Sequence, residues 1–220
     1  MAKETKDAFI PWLIEQGVLR FGEFRLKSGR LSPYFFNLGS VNDGSALAYL
    51  GRCYADRIEA LGWEFNVLFG PAYKGIPIAV ATAIALAERG RVVPVAFNRK
   101  EAKDHGEEGV FVGAEVTGRV LLVDDVLTAG TAVREAAALV TKAGAVVSGV
   151  LIALDRREKT DSGESAVTAL SAELSTPIDS VANLEDVIEY LDRISAADKD
   201  QILLTEAVHA YRREYCVTRE

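Results

Sequence analysis

Sulfur is scarce in this chain: its 220 residues include two cysteines, Cys53 and Cys216, and one methionine. Two thiols so far apart make neither a C-x-x-C motif nor a disulfide framework, so both are expected to stay reduced, as in a cytoplasmic protein. The only histidines are His105 and His209, too few to suggest a zinc site. With 18 Gly and 6 Pro, collagen-like and low-complexity chains are excluded. No apolar run approaches the roughly 18–20 residues that cross a bilayer. The polar opening Met1–Asp7 is not followed by the apolar stretch of a signal peptide. Basic charge is also short, with 25 Lys and Arg against 32 Asp and Glu and a net charge of −7. A broad nucleic-acid or anionic-membrane surface needs the opposite balance, so neither is an expected partner. A local basic pocket for a small anion is still compatible with this composition.

What is present reads as alternation. An amphipathic helix over Lys6 to Gln16 ends at Gly17, and Phe21–Leu38 interleaves apolar, aromatic and turn residues as short strands or hairpins. A second helix runs from about Ser45 to Leu61, capped by Asn42 or Asp43. Short apolar runs then lead into helical segments: Asn66–Phe69 into Ile76–Glu88, Val92–Phe97, and Val120–Val123 into Thr131–Ala143, followed by Val146–Leu154. The C-terminal part offers a strand at Ile178–Val181, a helix over Leu184 to Arg193 capped by Asn183, and a last helix carrying Leu204, Val208, Tyr211 and Tyr215. This order predicts an α/β fold with a mostly parallel central sheet flanked by helices and a small N-terminal hood. The whole of 1–220 is expected to be one domain. Within it, 1–64 form the helix and hood, 65–160 the core sheet with a lid loop at 98–118, and 161–220 the closing strand and helices.

The most informative stretch is Val120–Ala132, VLLVDDVLTAGTA. A buried strand ends in Asp124 and Asp125 and runs through Val126 and Leu127 into the small-residue loop Thr128, Ala129, Gly130. A helix then opens at Thr131 and Ala132. Small side chains let backbone N–H groups surround a phosphate, and the helix N-terminus adds a favourable dipole. The carboxylates repel phosphate but suit the vicinal hydroxyls of a ribose, or a cation. Together they describe a site for a ribose carrying a 5-phosphate. The segment is neither a Walker loop nor a dinucleotide-binding G-x-G-x-x-G.

Three other segments carry chemistry. In FGPAYKGIP, Tyr73 and Lys74 project from a glycine- and proline-shaped turn where a lysine can hold a diphosphate. In FNRKEAKDHGEEG, Arg99, Lys100, Lys103 and His105 concentrate cations within seven residues, flanked by glycines. A mobile loop delivering cations to a leaving pyrophosphate explains both features. In FGEFRLKSGRLSPYFFN, Lys27 can meet an anion while Tyr34, Phe35 and Phe36 can pack beside a planar base. A solvated turn lysine, a charged surface loop and core aromatics are the plainer readings of these three.

The Val120–Ala132 segment resembles the phosphoribosyl pyrophosphate motif of the type I phosphoribosyltransferases. LKSGRLSPYFFN, FGPAYKGIPIA, FNRKEAKDHGE and LLVDDVLTAGTA, in that order, resemble the bacterial-type orotate phosphoribosyltransferase family over essentially the whole chain. The resemblance implies the type I phosphoribosyltransferase fold and transfer of phosphoribose from phosphoribosyl pyrophosphate to orotate, with Mg²⁺ held mainly through substrate oxygens. It implies that Phe35, Phe36, Lys27, Thr128 and Arg156 meet orotate. Lys27, Tyr73, Lys74, Arg99, Lys100, Lys103, His105 and the segment from Asp124 to Ala132 would meet the donor. Lys103, His105, Asp124 and Asp125 would carry the catalysis. It further implies a homodimer in which each lid closes over the neighbour's site. A transferase for another base, or a non-catalytic phosphoribosyl pyrophosphate-binding regulator, is the alternative. The former has no use for the Lys27, Phe35, Phe36 and Arg156 set, and the latter needs no lid cations.

Overall fold

The computed structural model describes residues 2–26, 29–103, 109–127, 130–194 and 199–217, with side chains throughout except at 2–7 and 101–103. Helix α1 (Ala2–Glu15) buries Phe9, Ile10 and Leu13 and is followed by an antiparallel hairpin of β1 (Leu19–Arg25) and β2 (Leu31–Phe36). Strand alternation sends Ser32, Tyr34 and Phe36 inward, while Leu31, Pro33 and Phe35 face the other way. Helix α2 (Gly44–Leu61) starts at Asp43, not Asn42: the Asp43 carboxylate accepts the N–H groups of Ser45 and Ala46 at 2.8 and 2.9 Å. Two of the first-turn N–H groups that would otherwise lack partners are thereby satisfied. Its face of Leu50, Cys53, Tyr54 and Ile58 is buried at the three- and four-residue spacing read from the sequence, each such side chain contributing about 1.5–3 kcal/mol.

From there strands and helices alternate: β3 (Val67–Gly70), α3 (Gly75–Glu88), β4 (Val95–Lys103), β5 (Gly109–Gly113), β6 (Arg119–Val126), α4 (Thr131–Lys142), β7 (Val146–Asp155), α5 (Ala166–Leu174), β8 (Ile178–Asn183), α6 (Leu184–Ile194) and α7 (Lys199–Tyr215). The main sheet has the order β5-β4-β3-β6-β7-β8, parallel except for β5. Its central strands are apolar on both sides because helices cover both faces. Leu68, Leu121 and Val123 join the cluster formed with α1, α2, α3 and α6, whereas Val67, Phe69, Val120 and Leu122 pack against α4 and α5. Among the described residues no helix is long and apolar enough to cross a membrane. Both cysteines are free and buried.

Two segments differ from the sequence reading. The stretch 98–118, expected as one lid loop, contains the end of β4 and all of β5, which pair antiparallel from Ala96↔Gly113 to Lys103↔Gly109. From Asn98 onward the described side chains of this hairpin are half-exposed or exposed, so this part lacks the apolar alternation that would have announced it. Helix α5 was not foreseen either. It is nine residues long and is opened by Ser165, whose side chain accepts the Thr168 N–H, with only Leu170 fully buried.

Candidate active site

The chain leaves β3 through α3 to β4 on one side, then returns to place β6 on the other side of β3. The order reverses there, and in open α/β sheets ligands bind in the crevice at the carboxyl ends of such neighbouring strands. Two loops border it: residues 71–74 after β3, and the segment after β6 that leads into α4. The first is folded tightly on itself. A Cβ on Gly70 would lie 2.1 Å from the Gly75 carbonyl oxygen, and one on Gly75 would lie 2.8 Å from that of Val123. Only glycine permits this approach of loop to strand end. The Ala72–Tyr73 peptide is cis, and the Asn98 side chain accepts the Ala72 N–H at 3.0 Å. Tyr73 is 68% exposed, with the Lys100 ammonium 4.8 Å from its ring centre.

Across the crevice stand the two aspartates of β6. The Lys74 ammonium lies 2.6 Å from Asp125 Oδ2, linking the 71–74 loop directly to the end of β6. Asp124 accepts the Asp125 backbone N–H on Oδ1 at 2.9 Å, and its own carbonyl accepts the buried Tyr54 hydroxyl at 2.7 Å. Both carboxylates are nearly buried, at 6% and 7% exposure. Burial first, then the charge of Asp125, pushes the Asp124 carboxyl up to about 7; the Asp125 N–H and Lys74 oppose the shift. A titratable group poised near neutrality beside a lysine in a crevice marks a functional site on physical grounds. Gly130 takes φ +73 immediately before α4, whose N-terminus carries the positive end of the helix dipole.

The register Val126↔Leu154 brings the end of β7 alongside the aspartates, and Arg156 follows directly. Asp155 accepts the Arg157 N–H at 2.8 Å, and Arg157 sits in the left-handed region at φ 54. That local turn sends the Arg156 side chain under the hood. There its Nη2 donates to Ser32 Oγ at 3.3 Å, and its guanidinium carbon lies 4.4 Å from the centre of the Tyr34 ring. Glu158 accepts from its Nε at 2.7 Å. On the outer face of the hairpin, Phe35 stacks on Phe24 at 5.4 Å with the Arg20 guanidinium 5.3 Å from its ring.

The phosphoribosyl transferase domain family matches residues 40–180. The orotate phosphoribosyltransferase of Thioalkalivibrio sulfidiphilus is 54% identical over 216 residues, covering 98% of this chain and 100% of that one. The crystal structure of the Francisella tularensis orotate phosphoribosyltransferase superposes with a TM-score of 0.84 at 40% identity, covering 96% of this chain and 100% of that one. The chain belongs to the orotate phosphoribosyltransferase family. It has that family's type I fold, as the sequence led one to expect. A more distant member, from Mycobacterium tuberculosis H37Rv, was crystallised with 5-phospho-α-D-ribosyl 1-diphosphate. It matches with a TM-score of 0.63 at 27% identity, covering 83% of this chain and 98% of that one.

Within this orotate phosphoribosyltransferase framework, the crevice brings together Tyr73, Lys74, Lys100, Asp124 and Asp125, while Gly130, Thr131 and Ala132 stand at the start of α4, which follows β6. Arg156 stands beside them beneath the hood. Arg99 is turned to the hairpin, its Nη1 donating to the carbonyls of Gly109 and Phe111 at 3.3 and 3.5 Å. Phe35 and Phe36 occupy opposite faces of β2, and Phe36 is in the core at 7% exposure. Lys27, His105, Thr128 and Ala129 lie outside the described residues, as does the side chain of Lys103. Sequence reasoning missed Tyr54, Asn98 and Glu158. Tyr54 and Asn98 act through contacts 70 and 26 positions away, which no local pattern reveals. Glu158 had a visible signal, an acid two residues beyond a candidate anion-binding arginine.

Proposed function

We propose that this chain transfers the 5-phosphoribosyl group from phosphoribosyl pyrophosphate to orotate, releasing pyrophosphate and forming orotidine 5′-monophosphate for UMP synthesis. The observation that carries the proposal is the Asp124–Asp125 pair meeting Lys74 across the β3/β6 switch point, with Arg156 held beneath the hood beside it. In this reading the loop Thr128–Thr131 and the α4 N-terminus hold the 5-phosphate, and Asp124 and Asp125 hold the ribose hydroxyls. Tyr73, Lys74, Arg99 and Lys100 meet the diphosphate, with Lys27 between donor and base. Orotate lies beneath the hood beside Thr128, with its carboxylate on Arg156; Phe35 and Phe36 face opposite ways from β2, so only one of them meets the base. Breaking the glycosidic bond builds positive charge on the ribose and negative charge on the pyrophosphate. The buried carboxylates favour the former, while Lys103 and His105 of the 98–118 segment neutralise the latter. Lys74 must exchange Asp125 for the diphosphate when the donor enters.

Among the described residues no three His, Cys, Asp or Glu side chains gather into a metal cage. Two carboxylates, one of them paired to a lysine, instead suit Mg²⁺ whose other ligands are diphosphate and ribose oxygens, with Asp124 and Asp125 the residues that would hold it. When bound, Mg²⁺ supplies charge neutralisation for the leaving pyrophosphate.

A homodimer is part of the proposal. An apolar groove of about 410 Å³ runs between α2 and α3, lined by Leu47, Ala48, Ile76, Pro77, Val80 and Ile84. Val80 and Ile84 expose 41% and 56% of their surface there. The groove adjoins the 71–74 loop through Ile76 and Pro77, so a second copy seated on it would lie next to the loop that borders the crevice. Buried free thiols favour a cytoplasmic location.

The test is orotate absorbance followed with purified protein, phosphoribosyl pyrophosphate and Mg²⁺, with hypoxanthine, adenine and uracil in parallel. Orotate loss that requires Mg²⁺ and releases pyrophosphate is expected. Turnover of another base alone would overturn the choice of orotate, and binding of the donor without turnover would favour the regulator. Shared lids are tested by mixing inactive Lys103→Ala and Asp124→Asn subunits. Mixed dimers carry one site with both defects and one with neither, so activity should return. No return after confirmed subunit exchange would mean that each lid serves its own site.

A further inference from the structure

The last helix, α7, reaches the guanidinium of Arg156 through Glu158. One oxygen of Glu158, Oε1, lies 2.7 Å from Arg156 Nε and 2.6 Å from Nη2, and it also accepts the Tyr211 hydroxyl of α7 at 2.7 Å. The backbone around this acid is tied to the end of α7 from several sides. The Lys159 N–H donates to the Tyr215 carbonyl at 2.8 Å, Val217 N–H donates to the Arg157 carbonyl at 2.9 Å, and Glu158 pairs with Cys216 in an isolated bridge. Tyr211 also packs edge-on against Tyr34, the ring that the guanidinium faces. Arg156 is therefore fixed on one edge by Glu158, on one face by Tyr34 and at Nη2 by Ser32. Among the described residues its remaining terminal nitrogen, Nη1, makes no hydrogen bond.

We infer that Glu158 and Tyr211 are positioning residues for orotate, holding the Arg156 guanidinium so that its Nη1 edge is presented to the substrate carboxylate. The inference rests on the orotate reading given above. The physical reason is that an arginine has many rotamers, and presenting Nη1 to a carboxylate requires one of them. Here that rotamer is set before the substrate arrives, which lowers the ordering cost of binding. Glu158 has a second, opposing effect, since its charge competes with the substrate for the same cation. The geometry favours positioning, because Glu158 occupies the Nε edge and leaves Nη1 uncovered. Neutralising a guanidinium buried at 7% exposure also keeps it from being an uncompensated charge before orotate binds.

The test compares steady-state kinetics of wild type, Tyr211→Phe, Glu158→Gln and Glu158→Ala, with thermal midpoints measured alongside. Tyr211→Phe removes one hydroxyl and keeps the ring, so it should fold normally and raise the orotate KM about two- to fivefold. Glu158→Gln should raise it further, and Glu158→Ala by about twentyfold or more, with the phosphoribosyl pyrophosphate KM unchanged within about twofold. Inhibition by uracil, which lacks the carboxylate, should not change. An orotate KM that stays constant or falls, or parallel rises in both KM values, would overturn the positioning role. Should Glu158→Ala fail to fold, Tyr211→Phe and Glu158→Gln still decide. Wild type that turns over no orotate would defeat the functional reading itself, a result distinct from wild type that is active with unaffected variants.

Discussion

Asp124→Asn should make the ligand-free protein more stable at pH 8 while removing most of its activity. The Asp124 carboxyl is pushed from 3.8 up to about 7, first by burial and then by the neighbouring charge of Asp125. Its folded-state value lies above its unfolded one, so its contribution to stability is full below about pH 4 and is lost as pH rises through 7. At 1.36 kcal/mol for each tenfold change in acidity, the gap sets a ceiling of about 4 kcal/mol on the cost of ionising it at pH 8. Asparagine keeps an oxygen for the Asp125 N–H and removes only the charge. Relaxation around the ionised acid, including Lys74, absorbs part of the ceiling, leaving an expected gain of about 1–3 kcal/mol. For a chain of this length that is about 2–12 °C in thermal midpoint. Midpoints of both proteins from pH 5 to 8, at equal protomer concentration, give the comparison. The variant's advantage should shrink as the pH falls below 6. Parallel curves, or a variant less stable at pH 8, would refute the argument that this carboxylate is held at an energetic cost for its function.

Three further outcomes follow from the same geometry. Gly70→Ala should cost about 3 kcal/mol or more, because its Cβ would meet the backbone of Gly75, not a side chain that could swing away; a thermal midpoint within about 2 °C of wild type would contradict this. Lys74→Ala should raise the phosphoribosyl pyrophosphate KM about tenfold or more, since it removes the cation of the β3 loop. Its stability should stay within about 1 kcal/mol, as the Lys74 side chain is half-exposed, and an unchanged KM would remove Lys74 from the donor site. Ile84→Glu, in the exposed apolar strip of α3, should shift sedimentation from dimer to monomer, and an unaltered dimer would move the interface elsewhere.

The parts of this molecule legible from sequence are those where local pattern and tertiary environment agree. Val120–Asp125 reads as a buried strand with acids at its end because helices cover both faces of β6, and Asn183 reads as a cap because its side chain accepts the N–H groups of Glu185 and Asp186. The start of β4 was legible in Val92–Phe97, whereas its end and β5 were not, because exposure erases alternation there. Phe35 and Phe36 look alike in sequence and part company only because β2 turns successive side chains to opposite faces. The crevice itself depends on strand order. Nothing local in Tyr73-Lys74 or Asp124-Asp125 says that β3 and β6 are neighbours, and the Lys74–Asp125 contact spans 51 positions. Arg156 was named only through the family resemblance, and its setting beneath Ser32, Tyr34 and Tyr211 was not legible at all, since those residues come from the first and last parts of the chain.

A crystal structure of the protein with orotidine 5′-monophosphate tests the central claim most directly. The account predicts the 5′-phosphate at the 128–131 loop, the ribose hydroxyls on Asp124 and Asp125, and the base carboxylate on Arg156 beneath the hood. A nucleotide bound away from the β3/β6 crevice, or one whose carboxylate points away from Arg156, would contradict it.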